Sequence, residues 1–179
     1  MFKILTHKAC LQHQLADHPE RPARLHAVLD RLRSDGIITG TEDVISPVTA
    51  ELLCLVHPAH FVEQVIAAEP ETGTIRLDAD TYLSNGSIKA AFMAAAANIQ
   101  ATQLVLENAA ERVFCAVRPP GHHAERAEAM GFCLFNNIAL AAETALQHPS
   151  INRIAILDFD VHHCNGTVDI FKDRPEVLV

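Results

Sequence analysis

The spacing of hydrophobic positions changes character past residue 110. Before that point the periodic segments are mostly helical. Phe2 to Thr6 reads as a short opening strand. From Arg21 to Asp35, Leu25, Val28, Leu29 and Leu32 recur at helical spacing, with Pro22 near the start and Gly36 at the end. Thr49 caps a short predicted helix carrying Leu52, Leu53 and Val56, and a second one follows Pro58. The longest predicted helix runs from Ser84 to about Asn108, with Ser84 or Ser87 as its cap and an Ala-rich, tightly packing body.

Continuous apolar runs of strand length then take over: Arg112 to Val117 (RVFCAV), Ile154 to Leu157 (IAIL) and Glu176 to Val179 (EVLV). Between the first two lie a loop from Arg118 to about Gly131 and a helical stretch from Asn137 to Gln147; a short helix near Val168 to Phe171 precedes the third. Strand, helix, strand, helix, strand is the pattern of βαβ units on a buried parallel sheet. The last run is cut short at Val179, so the expectation is one domain, residues 1–179, truncated or incomplete at its C-terminal side. The unfinished sheet edge leaves an oligomer or another partner open.

A chain of 179 residues, 49% of them hydrophobic, is long enough to bury a real core. No run reaches the ~18 apolar residues of a membrane span. The N-terminus MFKILTHKAC lacks the pattern of a signal peptide, so a soluble, cytoplasmic protein with no membrane partner is expected. Five scattered cysteines without a C-x-x-C argue against a disulfide framework or a Cys-type structural zinc site. A net charge of −8 argues against general nucleic-acid binding. Eleven histidines change the picture more, because imidazole is the common metal ligand and near-neutral base.

Two motifs concentrate them at strand ends. Arg118-Pro119-Pro120-Gly121-His122-His123-Ala124-Glu125 follows RVFCAV, and Asp158-Phe159-Asp160-Val161-His162-His163 follows IAIL. Ligands of open parallel sheets bind outside the carboxyl ends of strands. Two strands joined by one helix, as neighbours about 5 Å apart, would bring both loops to one site. A His-His pair arises by chance about 0.7 times per chain of this composition, so the pairs alone carry little. Asp160-x-His162 carries more. Residues two apart project to one side of an extended segment, and a carboxylate oxygen and an imidazole nitrogen there can share an ion. The alternative is an Asp-rich strand end capping the next helix. Burying Asp158, Asp160 and His162 beside an apolar strand is costly without a metal or a hydrogen-bond network, which favours a metal site.

RPPGHHAERAEAMGFCLFNN and LDFDVHHCNGT resemble the histone deacetylases, especially class II and bacterial members, with their acetylpolyamine and acetoin-utilisation relatives. HPERPARL (His18 to Leu25) and DTYLSNGS (Asp80 to Ser87) look like further segments of that family, in the same order, and the resemblance runs from about Leu5 to the last residue. It implies an arginase/deacetylase-like α/β fold, a three-layer arrangement of a parallel sheet with helices on both faces. It implies zinc-dependent hydrolysis of an N-acetyl amide, with an acetylated lysine peptide, an acetylpolyamine or a small acetylated amine as substrate. By the same resemblance Asp160 and His162 are zinc ligands and His123 is the general base. His122 assists electrostatically, Asp158 accepts a hydrogen bond from His122, and Asn165 hydrogen-bonds His123 without supplying a negative charge. Gly131 and Phe132 match the tunnel wall, Asp80 a rim position, and Arg24 a place behind the metal. Carbonyls of Asp158, Asp160 and His162 match one potassium site, and Phe171, Arg174 and Val177 a second.

Several of these have plain alternatives: Phe132 as a core residue, Asp80 as a surface carboxylate, Arg24 as a solvated charge on an amphipathic helix. Cys164 departs from the family's usual Gly and could strain a glycine-type turn. The family's second zinc Asp and its transition-state Tyr lie beyond the matched segment, and Tyr82, the only tyrosine, sits in another motif. An inactive fragment or binding module is therefore the first rival reading. A metallophosphoesterase would need G-D-x-x-D and G-N-H motifs, and a ureohydrolase D-A-H-x-D; none occurs.

Overall fold

The computed structural model describes residues 1–38, 40, 42, 43 and 47–179. β1 (Phe2–Thr6) forms where predicted, followed by a short 3-10 turn at Lys8–Leu11. α1 (Pro22–Ser34) begins at its proline and buries Leu25 and Leu29. β2 (Glu42–Asp43), α2 (Ala50–Leu53) and α3 (Ala59–Ala67) follow. β3 (Thr74–Arg76) and β4 (Tyr82–Ser84) make an antiparallel hairpin that periodicity does not announce, because each strand is only three residues long.

α4 (Ser87–Leu106) is the central helix. Its predicted serine cap is corrected. Gly86, in the left-handed region at φ 88°, occupies the cap position, Ser84 ends β4, and Ser87 is the first helical residue. The left-handed turn suits glycine, which has no Cβ to clash. Buried Ala90, Ala91, Ala94 and Ala95 let neighbouring backbones approach α4 closely, and α5 (Asn137–Leu146) packs against it.

β5 (Arg112–Cys115) and β2 flank β1 in a parallel sheet of order β2-β1-β5. β6 (Ile154–Ala155) pairs in parallel with β7 (Val177–Leu178), with α6 (Asn165–Phe171) between them. The parallel βαβ expectation therefore holds, and the expected adjacency of β5 and β6 does not. A cleft of 1090 Å³ lies between them, walled by Val113 and Cys115 on one side and Ile154 and Ile156 on the other, with Ile138 and Ala141 of α5 among its lining. Beyond β6, Leu157, Phe159 and Val161 are exposed, Phe159 to 95%. Among the described residues, no helix is long and apolar enough to cross a membrane.

Candidate active site

The loop after β5 is fixed at its root by Arg118, whose side chain is almost wholly buried. Its Nε donates to Glu20 Oε1 at 2.8 Å, Nη1 to the Cys10 carbonyl at 2.6 Å and Nη2 to the His13 carbonyl at 2.8 Å. Farther along, Asn136 caps α5 by accepting from Ala139 N–H, while its Nδ2 donates to the Ala124 carbonyl at 3.0 Å and to Thr167 at 3.3 Å. The histidine loop, α5 and α6 are thus tied through one buried side chain.

His57, which sequence pattern did not single out, completes that tie. Its Nε2 accepts the Asn136 N–H at 2.9 Å and its Nδ1 donates to the Arg126 carbonyl at 3.0 Å, so both nitrogens are matched only while the ring is neutral. Burial holds His57 down to about 4, and burial with the nearby Arg118 charge holds His13 down to about 3. Unfolded, both rings regain an ordinary value near 6.5. The native state then binds fewer protons across this window. Stability should be complete above about pH 6.5 and fall as pH drops toward 4, by about 1.4 kcal/mol per pH unit for each histidine. Urea midpoints measured from pH 7 to pH 4 check this; a flat profile would contradict it.

The two motifs do converge, although their strands are not neighbours. His122 Nδ1 donates to Asp158 Oδ2 at 2.8 Å, and Asp158 Oδ1 accepts the Asp160 N–H at 3.0 Å. His123 Nδ1 lies 2.6 Å from Asn165 Oδ1, whose Nδ2 donates onward to Glu125 Oε1 at 2.9 Å. The imidazoles of His122 and His123 stand 4.0 Å apart between centroids, and His123 is 5.8 Å from His162. Each histidine of the pair uses Nδ1 for orientation and leaves Nε2 for chemistry.

Asp160 and His162 lie beside this pair on the open side, with side chains 45% and 72% exposed. Asp160 Oδ2 and His162 Nδ1 are 3.0 Å apart, the distance of a hydrogen bond between them, and a carboxylate oxygen and an imidazole nitrogen are donor types that zinc takes. Donation from the His162 backbone N–H holds the Asp160 carboxyl below its ordinary range. As a donor pair they fit a zinc-type ion. Among the described residues, no group of three or more His, Cys, Asp or Glu is placed to hold a metal ion. Cys133 and Cys115 are pushed by burial to about 12, so their thiols stay protonated at neutral pH.

Phe132 and Asp80 are linked through His18 and Thr81. Phe132, at φ 70°, donates its N–H to Thr81 Oγ1 at 2.9 Å, and the His18 ring packs edge-on against it at 4.7 Å. His18 Nδ1 accepts the Glu20 N–H, so its Nε2 donates to the Asp80 carbonyl, 3.2 Å away. His18 and Thr81 were not expected here; their partners lie far off in sequence. Gly131, at φ 56°, packs directly under the His123 ring. Arg24 is bound to Glu20 rather than to the carboxylates of the strand end, and its side chain is more than half exposed. Phe171 and Val177 are buried, and the Phe171 and Arg174 carbonyls each accept a backbone N–H in the turn after α6. Cys164 caps α6 at φ −81°, outside the left-handed region, so no glycine-type turn is strained there.

Residues 18–179 match the family model of the histone deacetylase domain. The chain is 41% identical over 182 residues to an uncharacterized protein of Synechocystis sp., covering 99% of this chain and 60% of that one. It is 39% identical over 165 residues to the polyamine deacetylase HDAC10 of Homo sapiens, covering 89% of this chain and 25% of that one. The crystal structure of the HDA15 HD domain superposes with a TM-score of 0.92 at 34% identity, covering 99% of this chain and 52% of that one. The fold is therefore the arginase/deacetylase fold. The chain spans 60%, 44% and 49% of the length of three curated relatives it matches, and 25% of HDAC10.

Proposed function

The chain belongs to the histone deacetylase family, and from that premise we propose that residues 1–179 are the front portion of a single deacetylase domain. The reaction is hydrolysis of an N-acetyl amide to free amine and acetate, on an acetylated lysine peptide, an acetylpolyamine or a small acetylated amine. The observation that carries this reading is the pair of oriented imidazoles, His122 on Asp158 and His123 on Asn165, set beside Asp160 and His162.

With its proton on Nδ1, His123 presents Nε2 as the base that takes a proton from attacking water and then returns it to the leaving amine. His122, held by the Asp158 carboxylate, stabilises negative charge at the reacting carbonyl. Phe132 borders the methylene chain of the substrate, and the Asp80 segment holds it at the rim. Asp160 and His162 would hold zinc, with further donors from outside residues 1–179. When bound, zinc supplies Lewis acidity toward the carbonyl and lowers the pKa of water.

Hydrolysis of acetyl-lysine and acetylpolyamine substrates by the complete domain, with zinc and with a chelator, tests the reading. Turnover that disappears with chelation and returns with zinc is expected. A folded, zinc-loaded complete domain that hydrolyses neither would support the rival reading of an inactive binding module.

A further inference from the structure

We infer that Glu125 is a positioning residue for the general base: its carboxylate locks the Asn165 amide in the orientation that keeps the His123 proton on Nδ1. The inference rests on the reading of His123 as the base. A neutral imidazole carries one proton on either nitrogen, and the group facing Nδ1 decides which. An aspartate there accepts only. An asparagine does not decide by itself, because its oxygen and its NH₂ end have nearly the same shape and opposite polarity. With the NH₂ end toward His123, Nδ1 would be the acceptor, the proton would move to Nε2, and the ring could not take a proton from water on that side.

The surroundings of Asn165 remove the ambiguity. Its Oδ1 faces His123 Nδ1 at 2.6 Å, and its Nδ2 faces Glu125 Oε1 at 2.9 Å and Met130 Sδ at 3.2 Å. An ionised carboxylate and a thioether are both acceptors without a proton to give. Turning the amide over would break both bonds and set its oxygen against the Glu125 carboxylate. Glu125 is itself held in place, since its N–H donates to the Glu128 carbonyl at 2.9 Å. The adjoining Arg126 ties the loop to α6, the helix that carries Asn165, through Asp169 at 3.0 Å and the Ile170 carbonyl at 2.8 Å. The negative charge that asparagine lacks is thus present one hydrogen bond farther from the ring.

Nitrogen NMR of histidine-labelled 1–179, at about pH 8 where imidazoles are ordinarily neutral, reads the tautomer of His123 directly. The native protein should show the Nδ1–H form in excess by about tenfold or more. Glu125→Gln keeps the shape but can offer an NH₂ group to a turned Asn165, so a mixture of tautomers is expected. In Asn165→Asp with Glu125→Gln the charge moves next to the ring and the new glutamine donates to it, so the Nδ1–H form should return. An unchanged tautomer in Glu125→Gln overturns the inference, and so does a mixture that persists in the folded double variant. Should Glu125→Gln fail to fold, Glu125→Ala is measured in its place against the same outcomes. The lock observed in a complete domain without His123-dependent turnover would remove the functional reading alone. His123-dependent turnover with a tautomer indifferent to residue 125 would remove this inference alone.

Discussion

Replacing His123 with Ala is expected to lower kcat/KM of the complete domain by about 10²–10⁴-fold, the usual contribution of a positioned acid–base group. Gly131→Ala should reproduce much of that loss, by about 10²-fold, while leaving every polar side chain of the site in the sequence. A Cβ on Gly131 would lie 2.6 Å from His123 Cγ and 2.7 Å from its Cβ, inside van der Waals contact, and at φ 56° the backbone disfavours any side chain. The ring cannot yield without leaving Asn165, because its Nδ1 is held at 2.6 Å from Oδ1. Moving an acid–base group by about 1 Å is enough to cost two orders of magnitude. Steady-state kinetics beside a urea titration of both variants separates misplacement from unfolding. A folded Gly131→Ala protein within a few-fold of native activity would show that the ring does not need this space.

The second large effect falls on stability. Arg118→Met should destabilise the fold by about 3–5 kcal/mol, because it leaves Glu20 Oε1 and the carbonyls of Cys10 and His13 buried without their donor. Glu20 and Arg118 are 1% and 2% exposed, and the same guanidinium also satisfies the carbonyls of Cys10 and His13. Arg24 cannot take over: it already binds the other oxygen of Glu20, and its side chain is 58% exposed. Removing both charges, in Arg118→Met with Glu20→Leu, should cost much less than the single change, since a buried ion pair replaced by apolar groups often ends near neutral. Urea unfolding of the single and double variants decides the matter. A single variant within about 1 kcal/mol of native would mean that Glu20 finds water or another partner.

Arg118 also marks a boundary between what is legible in a sequence and what is not. It opens the motif that identifies the family, yet its structural role depends on Glu20, 98 residues earlier in the chain. Its partner cannot be inferred from local pattern. The same holds for His57, whose bonds to Asn136 and Arg126 join segments 79 and 69 residues away. By contrast, the link from Asp158 to His122 was expected from the family resemblance, and the geometry places those atoms 2.8 Å apart.

The sequence by itself determined the strands β1, β5, β6 and β7, the helices α1 to α6, and the parallel connections of βαβ type, because these follow from side-chain period and punctuation within one segment. It also determined which histidines and carboxylates gather at strand ends, because the motif residues lie next to the apolar runs that position them. Only the tertiary structure decided that β5 and β6 are not paired neighbours, since which strands pair depends on contacts between distant segments. It alone placed His18 against Phe132 and Glu125 behind Asn165, contacts whose partners differ in chain position by 114 and 40 residues. A hydrogen bond is directional and short, so whether an asparagine orients its histidine one way or the other is settled by groups that only the folded chain brings within about 3 Å.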